Sequence, residues 1–175
     1  MKYTKRILSL LLSLTLVLGL LPAGVLAADK VPTISIEMSI FNEGAFAKDK
    51  KNQPMMLKTV KVADLNGDGR YSLDEALVAA HTEYAPNSEK DYATSVGNYG
   101  LFVTKLWGEV DKSGAFGFYK NNTLTAAVAD EVLDNGDQVT AFIYHDKESW
   151  SDRYSFFNIA EKTVCVNTEF SLSLK

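Results

Sequence analysis

Leu57-Lys58-Thr59-Val60-Lys61-Val62 runs into Asp64-Leu65-Asn66-Gly67-Asp68-Gly69-Arg70-Tyr71-Ser72-Leu73-Asp74-Glu75, and then into Ala76-Leu77. The first six residues carry β-branched side chains at strand spacing. The next twelve fit D-x-[DN]-x-[DN]-G-x₅-E without a mismatch, the pattern of a calcium loop. After them Leu73, Ala76, Leu77, Ala80 and Tyr84 recur at helical spacing. The stretch therefore predicts strand, cation loop and helix in immediate succession.

Each loop position has a chemical reason. Calcium takes six to eight oxygens at about 2.3–2.6 Å, and twelve residues wrap it when the ligands alternate. Asp64, Asn66 and Asp68 are the expected side-chain ligands. Arg70 is expected to offer its backbone carbonyl, Ser72 to bind directly or through water, and Glu75 to close the shell with both oxygens. Gly69 stands at the sharp turn, where a Cβ is disfavoured. A second reading fits the same letters. Asn66-Gly67 and Asp68-Gly69 are turn dipeptides, and Ser72 with Glu75 is a capping box opening a helix. Three acids at this spacing repel one another unless a cation lies among them, which favours calcium. On that ground Glu75→Gln is expected to abolish most of the calcium-induced shift and leave the calcium-free melt near wild type. The segment before the loop is a strand rather than a helix, and the loop has no second copy.

Working outward, Ile34, Ile36, Met38 and Ile40 alternate with Ser35, Glu37 and Ser39 in a half-buried strand. Lys48–Asn52 reads as a solvated charged loop. Pro86 is expected to end the helix near Tyr84, and His81 to be a surface residue. The polar stretch from Asn87 to Asn98 reads as a loop. Leu101–Trp107, Phe116–Tyr119, Val139–Tyr144 and Tyr154–Phe157 read as strands, Val139–Tyr144 as a central one because it is apolar on both faces. Thr163–Val166 and Phe170–Leu174 are expected to pair as a closing hairpin about Asn167-Thr168-Glu169. One helix among many strands makes the fold class α+β. The predicted architecture is a β-grasp-like mixed sheet packed on that helix, with a C-terminal β-hairpin.

Met1–Arg6 is basic, Ile7–Leu21 is apolar, and Pro22–Ala28 supplies small residues, so residues 1–27 read as a secretory signal peptide cut after Ala27 or Ala28. Residues 28–160 are then the β-grasp-like domain with its calcium site at 64–75. Residues 161–175 are the hairpin or the start of a following β segment. The only cysteine, Cys165, cannot form an intramolecular disulfide or a lipid anchor at the new N-terminus. Its alternating surroundings predict a buried structural thiol. The expected setting is extracellular, with no membrane attachment after cleavage.

The full chain has 175 residues and a net charge of −4. Losing Lys2, Lys5 and Arg6 lowers Lys+Arg from 18 to 15 against 22 acids, giving −7. That surface disfavours nucleic acid and anionic lipid and suits a cation.

Three further stretches carry a resemblance. Leu106-Trp107-Gly108, Phe116-Gly117-Phe118-Tyr119-Lys120-Asn121-Asn122 and Val132-Leu133-Asp134-Asn135-Gly136-Asp137-Gln138-Val139 resemble the transcobalamin-C-terminal-like domains of secreted and surface proteins of gut Gram-positive bacteria. Ala141–Tyr144, Ser151–Phe157 and the Glu75-Ala76-Leu77 that follows the calcium loop are similar to what such domains carry. The resemblance spans most of Ile34 to Phe157 and implies a β-grasp fold in a secreted or surface setting. It implies no activity, and no residue matches a corrinoid contact.

Two histidines, one cysteine and no nucleophile-elbow or zinc motif argue against an enzyme. The expected function is a calcium-binding extracellular module, for adhesion or for a surface glycan or protein. Trp107, Trp150, Tyr119 and Tyr154 are candidates to stack on sugar rings, with a place in the core or in a cross-strand pair the commoner role at each position. A cobalamin-like small-ligand binder and a small secreted hydrolase are the alternatives.

Overall fold

Alternation in the first strand places Ile36, Met38 and Ile40 on one face, where they are buried, and leaves Glu37 and Phe41 on the other. This strand, β1 (Thr33–Asn42), organises the sheet. The computed structural model describes residues 31–111, 115–125, 127–159 and 162–175. The predicted signal peptide lies outside them.

Glu43 and Gly44, both at positive φ, turn β1 into the short β2 (Ala45–Phe46). The strand before the loop, β3 (Lys58–Ala63), lies antiparallel to β1, with Val60 opposite Ile36 and Val62 opposite Ile34. The helix α1 spans Leu73–Tyr84. It is followed by a 3₁₀ turn (Ser88–Asp91), β4 (Ala93–Gly97), β5 (Gly100–Leu106) and β6 (Glu109–Val110). The chain closes with β7 (Phe116–Lys120), β8 (Thr123–Thr125) and β9 (Gln138–Ile143).

Six strands form one sheet in the order β2-β1-β9-β7-β8, with β3 also on β1. β1 and β9, the first and last strands, lie side by side and parallel, while the other pairs are antiparallel. The sheet is mixed and α1 packs on one face, so the α+β expectation holds. Val139, Ala141 and Ile143 of β9 and Phe116 and Phe118 of β7 join the β1 and β3 side chains against Leu73, Ala76, Leu77 and Ala80 of α1. Full burial of a leucine such as Leu77 contributes about 1.5–3 kcal/mol. Pro86 follows the helix end as expected, with Ala85 as its cap.

A three-stranded sheet, β4-β5-β6, was not legible in Asn87–Asn98, which instead contains the 3₁₀ turn and β4. β4 pairs with β5 through its backbone while Ser95 to Gly97 face solvent, so no apolar alternation marks it. Lys48–Asn52 is also more than a solvated loop. Asp49 is buried, accepts from the amides of Lys51 and Gln53 (2.8 Å each), and pairs with Lys58 (3.2 Å).

The expected C-terminal hairpin takes a different form. Phe157 bridges Leu174, flanked by backbone bonds between Phe156 and Lys175 and between Asn158 and Ser173. Thr163–Val166 forms no strand, and Cys165 is exposed rather than buried. Neither segment has an apolar layer to cover, so alternation alone did not fix a strand there.

The face of the sheet away from α1 is aromatic. Gly117 sits opposite Phe142, and a Cβ there would lie 2.0 Å from Phe142 Cζ. Gly117→Ala is expected to displace that ring and cost about 1–3 kcal/mol. Urea denaturation measures it, and an unchanged midpoint would show that the ring moves freely.

Candidate metal centre

The loop between β3 and α1 is built from short-range hydrogen bonds that its sequence supplies. Asp64 Oδ1 accepts from Gly67 N (2.7 Å) and Oδ2 from Gly69 N (2.8 Å). Asn66 Oδ1 accepts from Asp68 N (2.9 Å), and Asp68 Oδ1 from Arg70 N (2.8 Å). Asn66 Nδ2 donates to Asp68 Oδ2 (3.1 Å). Gly67 and Gly69 take φ of 75° and 80°, the left-handed region that a side chain resists. The expected conformational role of Gly69 is thus observed.

Glu75 lies apart from these exposed acids in one respect: it is 5% exposed. Its Oε1 accepts from Leu65 N (2.6 Å) and more weakly from Asn66 N (3.4 Å). Its Oε2 accepts from Ser72 N (2.8 Å) and Ser72 Oγ (3.1 Å). Ser72 Oγ in turn accepts from Glu75 N (3.2 Å). This is a complete capping box. Asp74 and Glu75 in the first turn also favour the helix dipole.

The far side of the loop is clamped to the chain before β9. Leu73 N donates to Glu131 O, Asp74 N to Val128 O and Leu133 N to Tyr71 O, and Ser72 bridges Val132. Helix entry, loop exit and the approach to the central strand therefore meet at one place.

The donor chemistry suits a hard cation in part. A carboxylate oxygen has about two acceptor positions, so Asp64 and Asp68 each keep capacity beyond their amide bonds. Glu75 Oε2 has both positions filled by Ser72. A metal drawing on Glu75 has to turn the Ser72 hydroxyl away. Among the described residues, no three His, Cys, Asp or Glu side chains converge as a metal-holding group.

His81, like Cys165, lies elsewhere than its sequence predicts. It is fully buried, not at the surface, and both ring nitrogens are engaged. Trp107 N–H donates to Nε2 (3.0 Å), so Nε2 is the acceptor and Nδ1 carries the proton that meets Leu77 O (2.6 Å). The ring contacts Tyr92 and Trp107, each at 4.9 Å between centroids. Tyr92 then donates to Asp74 Oδ1 (2.6 Å), linking this cluster to the first turn of α1. Burial drives the imidazole pKa from 6.5 down to about 4. A helical stripe containing His81 was the available signal, but the partner Trp107 lies 26 residues away.

The proposed sugar-stacking aromatics divide. Trp107 is buried with its indole on Lys48 O (2.8 Å), so it offers no surface. Tyr119 and Tyr154 stack on each other at 3.8 Å. Trp150 is exposed.

No helix among the described residues is long and apolar enough to cross a membrane. No protein-family model matches the chain, and no curated protein matches it. Solved structures that are similar in part include these two. One is a protein of Ruminococcus gnavus provisionally described as metal binding, 17% identical, with a TM-score of 0.38 over 63% of this chain and 95% of that one. The other is haptocorrin in complex with Cbi, 13% identical, with a TM-score of 0.40 over 66% of this chain and 26% of haptocorrin. Neither likeness assigns the chain to a family.

Proposed function

We propose that the chain is an exported calcium-binding module that recognises an extracellular ligand, with the ion held by Asp64, Asn66, Asp68, the Arg70 carbonyl, Ser72 and Glu75. The observation that carries this reading is the loop itself. Its spacing matches the calcium pattern throughout, and Gly67 and Gly69 turn the backbone at positive φ around Asp64. The ion braces the junction of β3, α1 and the segment leading to β9. Export rests on the composition of residues 1–28.

The reading is of a binding protein rather than an enzyme. His81 spends both nitrogens on backbone groups, while His145 and Cys165 are exposed. No nucleophile with a base beside it arises from these.

An ion that binds only the folded state adds RT ln(1 + [L]/Kd) to stability, about 2.7 kcal/mol at a hundredfold excess over Kd. A lone loop should bind in the range of about 10⁻⁵ to 10⁻³ M. Saturating calcium is then expected to raise Tm by roughly 5–10 °C. Magnesium should do far less, because it holds its waters and demands tighter octahedral geometry. Asp68→Asn keeps an oxygen for Arg70 N but removes a ligand charge, and should shrink the shift. Scanning calorimetry with calcium, magnesium and chelator decides it. Equal shifts with both metals, or none with either, would leave the loop a turn and a helix cap.

A further inference from the structure

The face of the sheet away from α1 carries Phe41 of β1, Thr140 and Phe142 of β9 and Tyr119 of β7, placed side by side by the register. The chain after β9 returns over this face. Tyr154 stacks on Tyr119 and its hydroxyl donates to Asn122 Oδ1 (2.7 Å). Between this segment and the strands lies a cavity of about 270 Å³, lined by Phe41, Thr140, Phe142, Asp152, Arg153 and Tyr154 among others. Phe41 is backed by Phe46 at 4.4 Å, and Phe142 by Tyr144 at 4.8 Å.

Two charged groups border these rings. Asp152 Oδ2 accepts from Asp146 N (3.0 Å), which fixes the carboxylate and leaves Oδ1 for another donor. Arg153 enters no hydrogen bond or ion pair among the described residues. Arg153 is exposed and lines the same cavity as Phe41, Phe142 and Tyr154, so its guanidinium is free to meet an anion there.

We propose that this cavity binds one pyranose ring bearing a carboxylate, the uronic-acid class of sugar. The Arg153 fork matches a carboxylate in two parallel hydrogen bonds. Asp152 and the hydroxyls of Thr140 and Ser155 provide partners for the sugar hydroxyls. Phe41, Phe142 and Tyr154 offer apolar surface to the C–H face of the ring. The volume sits just below the roughly 300–1,000 Å³ typical of small-molecule sites, which suits one ring rather than a chain of them. A neutral sugar gives the guanidinium no opposite charge, so the carboxylate sets the selectivity. This inference rests on the binding-module part of the proposed function and is independent of the calcium loop.

Amide-shift NMR on the full domain with methyl glucuronide and methyl glucoside tests it, in calcium and in chelator. The glucuronide is expected to shift the Phe142 and Arg153 amides in the millimolar range and to bind about tenfold tighter than the glucoside, the value of one charge-assisted contact. Arg153→Gln should erase that preference. Lys90→Gln, the same charge change at an exposed site elsewhere, should preserve it. Equal affinity for both sugars, no shift in the millimolar range, or a preference surviving Arg153→Gln would overturn the proposal. A calcium-dependent melt on the same sample, without sugar binding, would remove this inference and leave the metal reading standing.

Discussion

Acidification from pH 6.5 to about 4 is expected to remove about 3 kcal/mol of folding stability through His81 alone. Above pH 6.5 the imidazole is neutral in both the folded and the unfolded chain, and its contribution is fully present. Between pH 6.5 and about 4 the unfolded chain binds a proton that the folded one refuses, so stability falls with pH. Below about pH 4 both states are protonated and this loss levels off. The refusal has two causes. Burial removes the water that would solvate an imidazolium, and a proton on Nε2 would face the Trp107 N–H. His81→Phe keeps a ring between Tyr92 and Trp107 but leaves the Trp107 N–H without its acceptor. It should cost about 1–3 kcal/mol at neutral pH and flatten the acid limb of the stability curve. Urea melts across the pH range for both proteins measure this, and parallel curves would dismiss His81 as the acid-sensitive group.

Glu75→Ala is expected to be the most damaging single change in the loop, costing about 3 kcal/mol or more without any calcium. Four donors converge on this nearly buried carboxylate: the amides of Leu65, Asn66 and Ser72, and the Ser72 hydroxyl. Removing it strips the loop of the contact that closes it and leaves Ser72 N–H unsatisfied at a buried position. The same geometry corrects the expectation that Glu75→Gln leaves the calcium-free melt unchanged. A glutamine has to turn an NH₂ toward groups that are themselves donors, so it too should lower the melt in chelator. Relief of repulsion between acids is the smaller effect, since Asp64 is turned onto the amides of Gly67 and Gly69 and Asp68 onto that of Arg70. Melts of wild type, Glu75→Gln and Glu75→Ala in chelator separate the two views. A wild-type melt for Glu75→Gln would restore the original expectation.

Local patterns in the sequence determined the local structure. Alternation from Ile34 to Ile40 gave β1, apolar character on both faces marked β9 as central, and a helical stripe ended by Pro86 bounded α1. The loop residues were equally legible, because an Asx contact joins groups only two to five positions apart. The capping box of Ser72 and Glu75, the second reading of the same letters beside the calcium one, was legible for the same reason.

What only the tertiary structure decided involves partners far apart along the chain. β4 is a strand because β5 pairs with its backbone, not because its side chains alternate. His81 is buried because Trp107 and Tyr92 close over it, and no spacing within α1 announces either neighbour. Cys165 looked like a strand residue, yet no apolar layer lies beneath it and it stays exposed. Trp107, a candidate for sugar stacking as well as for the core, is buried with its indole on Lys48 O, 59 residues away. The aromatic cavity is the extreme case: β1, β9 and the return at Asp152–Tyr154 assemble it across more than a hundred residues. Hydrogen bonds within a turn are dictated by a few adjacent residues, whereas burial depends on which distant surfaces meet, and that is fixed only when the whole sheet closes.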